Sequence, residues 1–224
     1  MVHFALMPTA RPAATPTLYE GDGFDPEFSR VLRIANPGAA LRRALTFSPG
    51  ADLPPAVWLS RWETWQRETF AARLAPVLAA VSQDALRGAT REIQAHDLAL
   101  DAILAPDQAE RSILAGKRLL GQLAGARGEK FLTRLLSWSN AGALPTHFLT
   151  VYAVQGAIFR LSLRLLLPGY AYWEWTAATE TCPPLGRPAP RFAEVIPDLQ
   201  TIVQATFSSP FHAVDFFSPA VGVS

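Results

Sequence analysis

One cysteine in 224 residues, Cys182, excludes an internal disulfide framework and a zinc site built from several cysteines. Charge is scarce too: 17% of residues are acidic or basic, and the formal balance is +1. Dedicated nucleic-acid binders carry a strong basic excess or a basic face, so this balance argues against that class. There is no GxxxxGK[ST] loop, no HExxH and no Glu-x-x-His pair, which leaves phosphate-cradling, zinc-protease and di-metal-bundle chemistry without footing. Repeats and low-complexity tracts are missing as well, and runs of alternating polarity are few. The N-terminal stretch lacks the cationic start and unbroken apolar run of a secretory signal, and three prolines in its first sixteen residues give residues 1–24 the character of a flexible tail. A cytoplasmic location is the expectation.

Half of the residues are hydrophobic, enough to bury a sizeable core, and residues 25–224 are expected to form one all-α domain. Asp25-Pro26 is a helix start, and Asn36-Pro37-Gly38 ends that helix. AALRRALTF reads as a short helix stopped by Ser48-Pro49-Gly50. A long helix then follows Pro54-Pro55, kinked or broken at Pro76 and continuing to about Gln94, with His96-Asp97 as a junction. Further helices are expected over LALDAIL, Asp107 onward, EKFLTRLLSW, a long buried THFLTVYAVQGAIFRLSLRLLL stopped by Pro168-Gly169, and AEVIPDLQTIVQATF. Residues 135–159 carry no formal charge, but their polar side chains and the arginines that follow favour a buried core helix over a membrane span.

Trp58, Trp62 and Trp65 recur at i, i+4 and i+7, so they share a face, as a core stripe or as an aromatic patch for a partner. Gly116 and Gly156 sit inside helices, where glycine costs about 1 kcal/mol relative to alanine, so each marks a close approach of another element. Arg160 and Arg164 lie one turn apart in an apolar helix. They form an internal ion pair, with Glu174 as the available acid, or an anion- or partner-binding strip. His96-Asp97 and His147 are the residues an enzyme would use. Cys182, before two prolines, is expected in an exposed loop with no neighbouring base to activate it.

FSPGADLP at 47–54, with Ser60 and Glu63 following, is similar to an opening SDSALPxGGFxxSxGLE pattern. DLALDAILAPDQAERSILAGKRLL at 97–120 is similar to an Asp-Leu helix leading into ExRxAsxxxGRxLL. LPTHFLTVYAVQGAIFRLSL at 144–163 is similar to LPxHxxVxxGxxxxxxG, PLGR at 184–187 to PLGQ, and VIPDL with FFSPAVGVS to a final helix and FxPxLDIxSM. These patterns, in this order, are those of the UreF-type urease accessory proteins, which the chain resembles over roughly residues 45–224.

The resemblance implies an all-α, non-enzymatic chaperone that assists nickel insertion into apo-urease through protein–protein contacts. The partners it implies are a UreD/UreH-type scaffold protein, a UreG-type GTPase and apo-urease, with no cofactor or metal of its own, no nucleic acid and no membrane. A homodimer is left open. By the same resemblance the partner-binding residues are Glu63, Lys117, Arg118, Gly186 and Arg187. The alternative is a helical subunit or assembly factor of another complex, membrane-associated or not.

Overall fold

Proline, whose fixed φ and missing N–H suit the first helical position, opens three helices of this chain at Pro26, Pro55 and Pro106. The computed structural model describes residues 26–37, 41–127, 130–186, 191, 192 and 195. The N-terminal tail, the Asp25 cap, Arg187, most of the helix expected after Phe192 and the FFSPAVGVS segment lie outside the described residues. Within them the fold is all-α: α1 Pro26–Ile34, α2 Leu41–Ala44, α3 Pro55–Thr64, a π-helical stretch Trp65–Leu74, α4 Ala75–Arg87, α5 Thr90–Ile103, α6 Pro106–Arg127, α7 Lys130–Asn140, α8 Phe148–Ile158 and α9 Leu163–Thr181.

Pro76 neither breaks nor ends its helix. The chain runs helically from Pro55 to Arg87, and the turns before the proline are wound as π-helix. A π-turn is wider than an α-turn, which gives the pyrrolidine ring room against the carbonyls preceding it. The break expected at His96-Asp97 falls instead at Gly88 (φ 69°). There Gly88 N–H meets the Ala85 carbonyl and Ala89 N–H the Asp84 carbonyl, the two bonds of a Schellman cap. Gly142 (φ 74°) ends α7 in the same way, against Ser139 and Trp138.

The expected long helix from Thr146 is two helices. Arg160 adopts φ 52°, with its N–H on the Ala157 carbonyl and the Leu161 N–H on the Gly156 carbonyl, so a Schellman cap closes α8 where no glycine stands. The chain turns back, and Gly156 receives Leu166 of α9 so closely that a Cβ at Gly156 would lie 2.3 Å from Leu166 Cδ2. Pro168 is then carried inside α9 rather than stopping it. It sits early in the helix, where it forfeits one backbone bond, and the buried run of Leu166, Leu167, Gly169, Tyr170 and Ala171 outweighs that loss.

Helix α8 is the centre. It carries no charge, Phe148 through Ala157 are all buried, and it packs chiefly between α4 and α6. An uncharged, mainly apolar helix of this kind has to be enclosed. No helix among the described residues is long and apolar enough to cross a membrane. The tryptophan stripe faces inward: Trp58, Trp62 and Trp65 are buried around Phe47, with ring centroids 5.2, 5.0 and 5.7 Å away. Trp175 of α9 closes the cage at 4.8 Å from Trp58 and 4.9 Å from Trp62. Each such pair adds about 1 kcal/mol to the burial of its rings.

The Arg160 cap yields a prediction. An L side chain in the left-handed region costs about 1 kcal/mol or more that glycine does not incur, and Arg160 is exposed. Arg160→Gly is therefore expected to raise the urea midpoint, by about 1 kcal/mol of stability. An unchanged or lower midpoint would mean that the arginine side chain itself holds the turn.

Candidate functional site

The polar side chains that the sequence brings forward converge on the head of α8. A helix start leaves its first N–H groups without intrahelical partners, and here the partners come from two other helices. Asp97, in the middle of α5, accepts the His147 N–H at 2.9 Å with one carboxylate oxygen and the Thr146 N–H with the other. Ser112 Oγ of α6 accepts the Phe148 N–H at 3.1 Å. Thr146 takes φ 72° to reach this arrangement, and its hydroxyl lies 2.7 Å from Ser139 Oγ of α7. Asp97 is fully buried, and burial pushes its carboxyl above the usual range, against the pull of the N–H donors and of His147.

Gly116 makes this junction possible. A Cβ there would meet the Thr146 carbonyl oxygen at 2.0 Å, His147 C at 2.7 Å and Phe148 N at 2.8 Å. The backbone of α6 thus presses directly on the backbone that opens α8, and its mid-helix glycine is there to allow it.

The histidines divide along the same lines. The ring of His147 is fully buried, with Nε2 3.1 Å from Oδ1 of the half-exposed Asp101, one turn beyond Asp97 on α5. Sequence neighbours His96 and Asp97 point to different helices, and His96 Nε2 lies 3.1 Å from Asp84 of α4. Asp84 also pairs with Arg87. Among the described residues no three His, Cys, Asp or Glu side chains are grouped to hold a metal ion.

Glu174 of α9, also buried, has no arginine partner among the described residues. Arg160 and Arg164, expected to pair with it, are both exposed, because α8 ends at Ile158 and the chain reverses between them. Glu174 instead gathers the turn after α2. Thr46 N–H reaches its two oxygens at 3.2 and 3.1 Å, Phe47 N–H one at 3.1 Å, Thr46 Oγ1 donates at 2.8 Å and Tyr170 OH at 2.9 Å. Trp65 Nε1 in turn donates to Thr46 Oγ1 at 3.2 Å. Burial pushes Glu174 up to about 7, opposed by these hydrogen bonds, and pushes Tyr170 above its ordinary value. Neither this cluster nor the trans cap by Asp97 has a local sequence signal: the acid and the turn that donates to it are 128 and 49 residues apart.

Of the residues assigned to partners by resemblance, the four described ones, Glu63, Lys117, Arg118 and Gly186, lie on the surface but not at one place. Glu63 is exposed near the end of α3, and Lys117 and Arg118 are exposed on the outer side of α6, opposite the Gly116 face. Gly186, exposed at φ 70°, lies in the turn after α9. The neighbouring Leu185 N–H bonds the Leu53 carbonyl at 2.8 Å, which sets this turn beside the start of α3, about two turns from Glu63. Cys182 is half-buried at the end of α9 rather than in an exposed loop, because its carbonyl receives Trp58 Nε1–H at 2.9 Å.

Two measurements test these junctions. Gly→Ala in a helix ordinarily stabilises by about 1 kcal/mol, and nothing lies within 4 Å of a Cβ at Gly121 or Gly125 of α6. Gly121→Ala is expected to gain about that much, and Gly116→Ala to lose about 3 kcal/mol in the same urea titration. Equal effects at the two sites would dismiss the contact. The folded chain also holds a proton on Glu174 up to about pH 7, whereas an unfolded chain releases it near 4.5. Between those values the folded state binds more protons, so stability should fall as pH rises from 4.5 through 7. Glu174→Gln is expected to remove that component of the pH dependence.

Comparison of the chain with protein-family models, with curated proteins and with solved structures gives no match.

Proposed function

We propose that this protein is a non-enzymatic accessory factor of the kind it resembles, assisting nickel insertion into apo-urease by holding a UreD/UreH-type scaffold and a UreG-type GTPase through surface contacts. The observation that carries the reading is spatial. The short pieces behind the resemblance are scattered along the chain, yet four of them meet in pairs among the described residues. The 97–120 piece supplies Asp97, Ser112 and Gly116 to the backbone of the 144–163 piece at Thr146, His147 and Phe148. The 47–54 and 184–187 pieces are joined by the Leu185–Leu53 hydrogen bond. A pattern whose parts fit one another is the pattern of a fold, and it supports reading the pieces together.

The same geometry favours surface contact over catalysis. Both Asp97 oxygens are occupied by backbone N–H groups, and the His147 ring is enclosed. The acids and bases an enzyme would draw on are thus engaged in seating helices, while Lys117 and Arg118 stand on an open helix face and form no ion pair with any described residue. Nickel is the cargo in this reading, not a resident ion.

Tagged protein is expected to capture the GTPase and the scaffold, and its deletion to lower urease activity in a urease-producing cell. Lys117→Glu with Arg118→Glu is expected to leave the thermal midpoint unchanged and to weaken that capture by about tenfold or more, roughly 1.4 kcal/mol. Capture of neither partner, with urease activity intact on deletion, contradicts the reading.

A further inference from the structure

Beside the Gly116 face, on the outer side of α6, the structure holds an open cleft of about 400 Å³ between α2 with its following turn, α6 and the end of α9. Leu45, Pro49, Leu114 and Cys182 give it an apolar lining, and Arg42 and Arg111 stand at its edge. That size is toward the lower end for ligand sites, with room for one or two large side chains but not for a helix.

Three features of the edge are informative. Leu114 is 62% exposed in the middle of an otherwise polar helix face, an apolar side chain with nothing of the described chain over it. Arg42 and Arg111 are each held by an exposed acid, Glu180 at 2.8 Å and Asp107 at 2.9 Å. Exposed pairs of this kind contribute about 0–1 kcal/mol, so an incoming carboxylate can take either acid's place. The face is also asymmetric along the helix. Asp107 and Glu110 precede Leu114, while Lys117 and Arg118 follow it by one turn and pair with no described residue. The uncompensated charge beyond the cleft is therefore positive.

We infer that the cleft between α2, α6 and α9 is a docking groove for a short acidic segment of a protein partner. One large apolar side chain of that segment seats against Leu114, and its carboxylates follow along α6 onto Lys117 and Arg118. The inference rests on the accessory role proposed above and names the chemistry of its partner. The apolar anchor supplies the desolvated contact, and the cations select an acidic sequence and speed its encounter.

Selection of a random-sequence peptide library on the full-length chain tests this, with fluorescence anisotropy of the most enriched peptide as the quantitative measure. The expected peptides are acidic with one large apolar residue, and their binding weakens as salt is raised. Leu114→Glu is expected to weaken them at least about tenfold and Leu114→Ser by several-fold, with both variants melting as the parent does because Leu114 is exposed. No enrichment, enrichment of basic or neutral peptides, or equal binding to Leu114→Glu overturns the groove. Capture of the scaffold and GTPase separates the two ideas. If both partners bind parent and Leu114→Glu alike, the groove is wrong and the accessory role stands. If the peptides behave as expected and neither partner is captured, the accessory role is wrong and the groove stands.

Discussion

The contact between two backbones at Gly116 governs this structure. Helix α6 can lie against the opening of α8 only because residue 116 has no side chain, and α8 is the helix around which α4, α5, α6 and α9 are arranged. The close approach also brings Ser112, one turn earlier on α6, within reach of the Phe148 N–H. Asp97 closes the other side with two N–H groups on one carboxylate. Unmet donors at a buried helix start would cost about 1–3 kcal/mol each, so α8, buried along nearly its whole length, needs this arrangement to be enclosed at all.

Glu174 repeats the device elsewhere. A buried acid on one helix collects paired N–H groups from a turn distant in sequence, here Thr46 and Phe47, and fixes that turn to α9. The turn then places Phe47 inside the tryptophan cage and Leu45 and Pro49 along the α6 cleft. The two carboxylates thus connect the central helix, the aromatic core and the proposed docking face. Both clusters of buried hydrogen bonds stand where distant chain segments meet. That arrangement explains how a chain with little charge still buries Asp97 and Glu174.

Much of this was legible in the sequence, and the parts that were not have a common cause. The helical class, the helix start at Pro26, a helix from about Asp107, the shared face of the three tryptophans and the close approaches at Gly116 and Gly156 follow from spacing and from the penalty a helical glycine carries. Those signals are local. The end of α8 at Ile158, the passage of α9 through Pro168 and the continuity across Pro76 were not legible, because tertiary packing decided them against local preference. Arg160 closes a helix in a conformation usual for glycine, so no glycine advertised the turn. The partners of Asp97 and Glu174 are backbone groups, which every residue offers and no side chain announces. For that reason an internal arginine pair was expected where a cluster of N–H donors stands.

Asp97 and His147 would be natural choices for catalysis, and the structure gives both of them architectural work at one junction. That claim is tested most directly by native-state hydrogen exchange at the amides of Thr146, His147 and Phe148. If the trans cap holds α8 in place, all three should belong to the slowest class and exchange only by global unfolding, although they sit at a helix start, where amides normally exchange early. Fast exchange at these three positions in an otherwise protected α8 would contradict the account and return Asp97 and His147 to the residues available for chemistry.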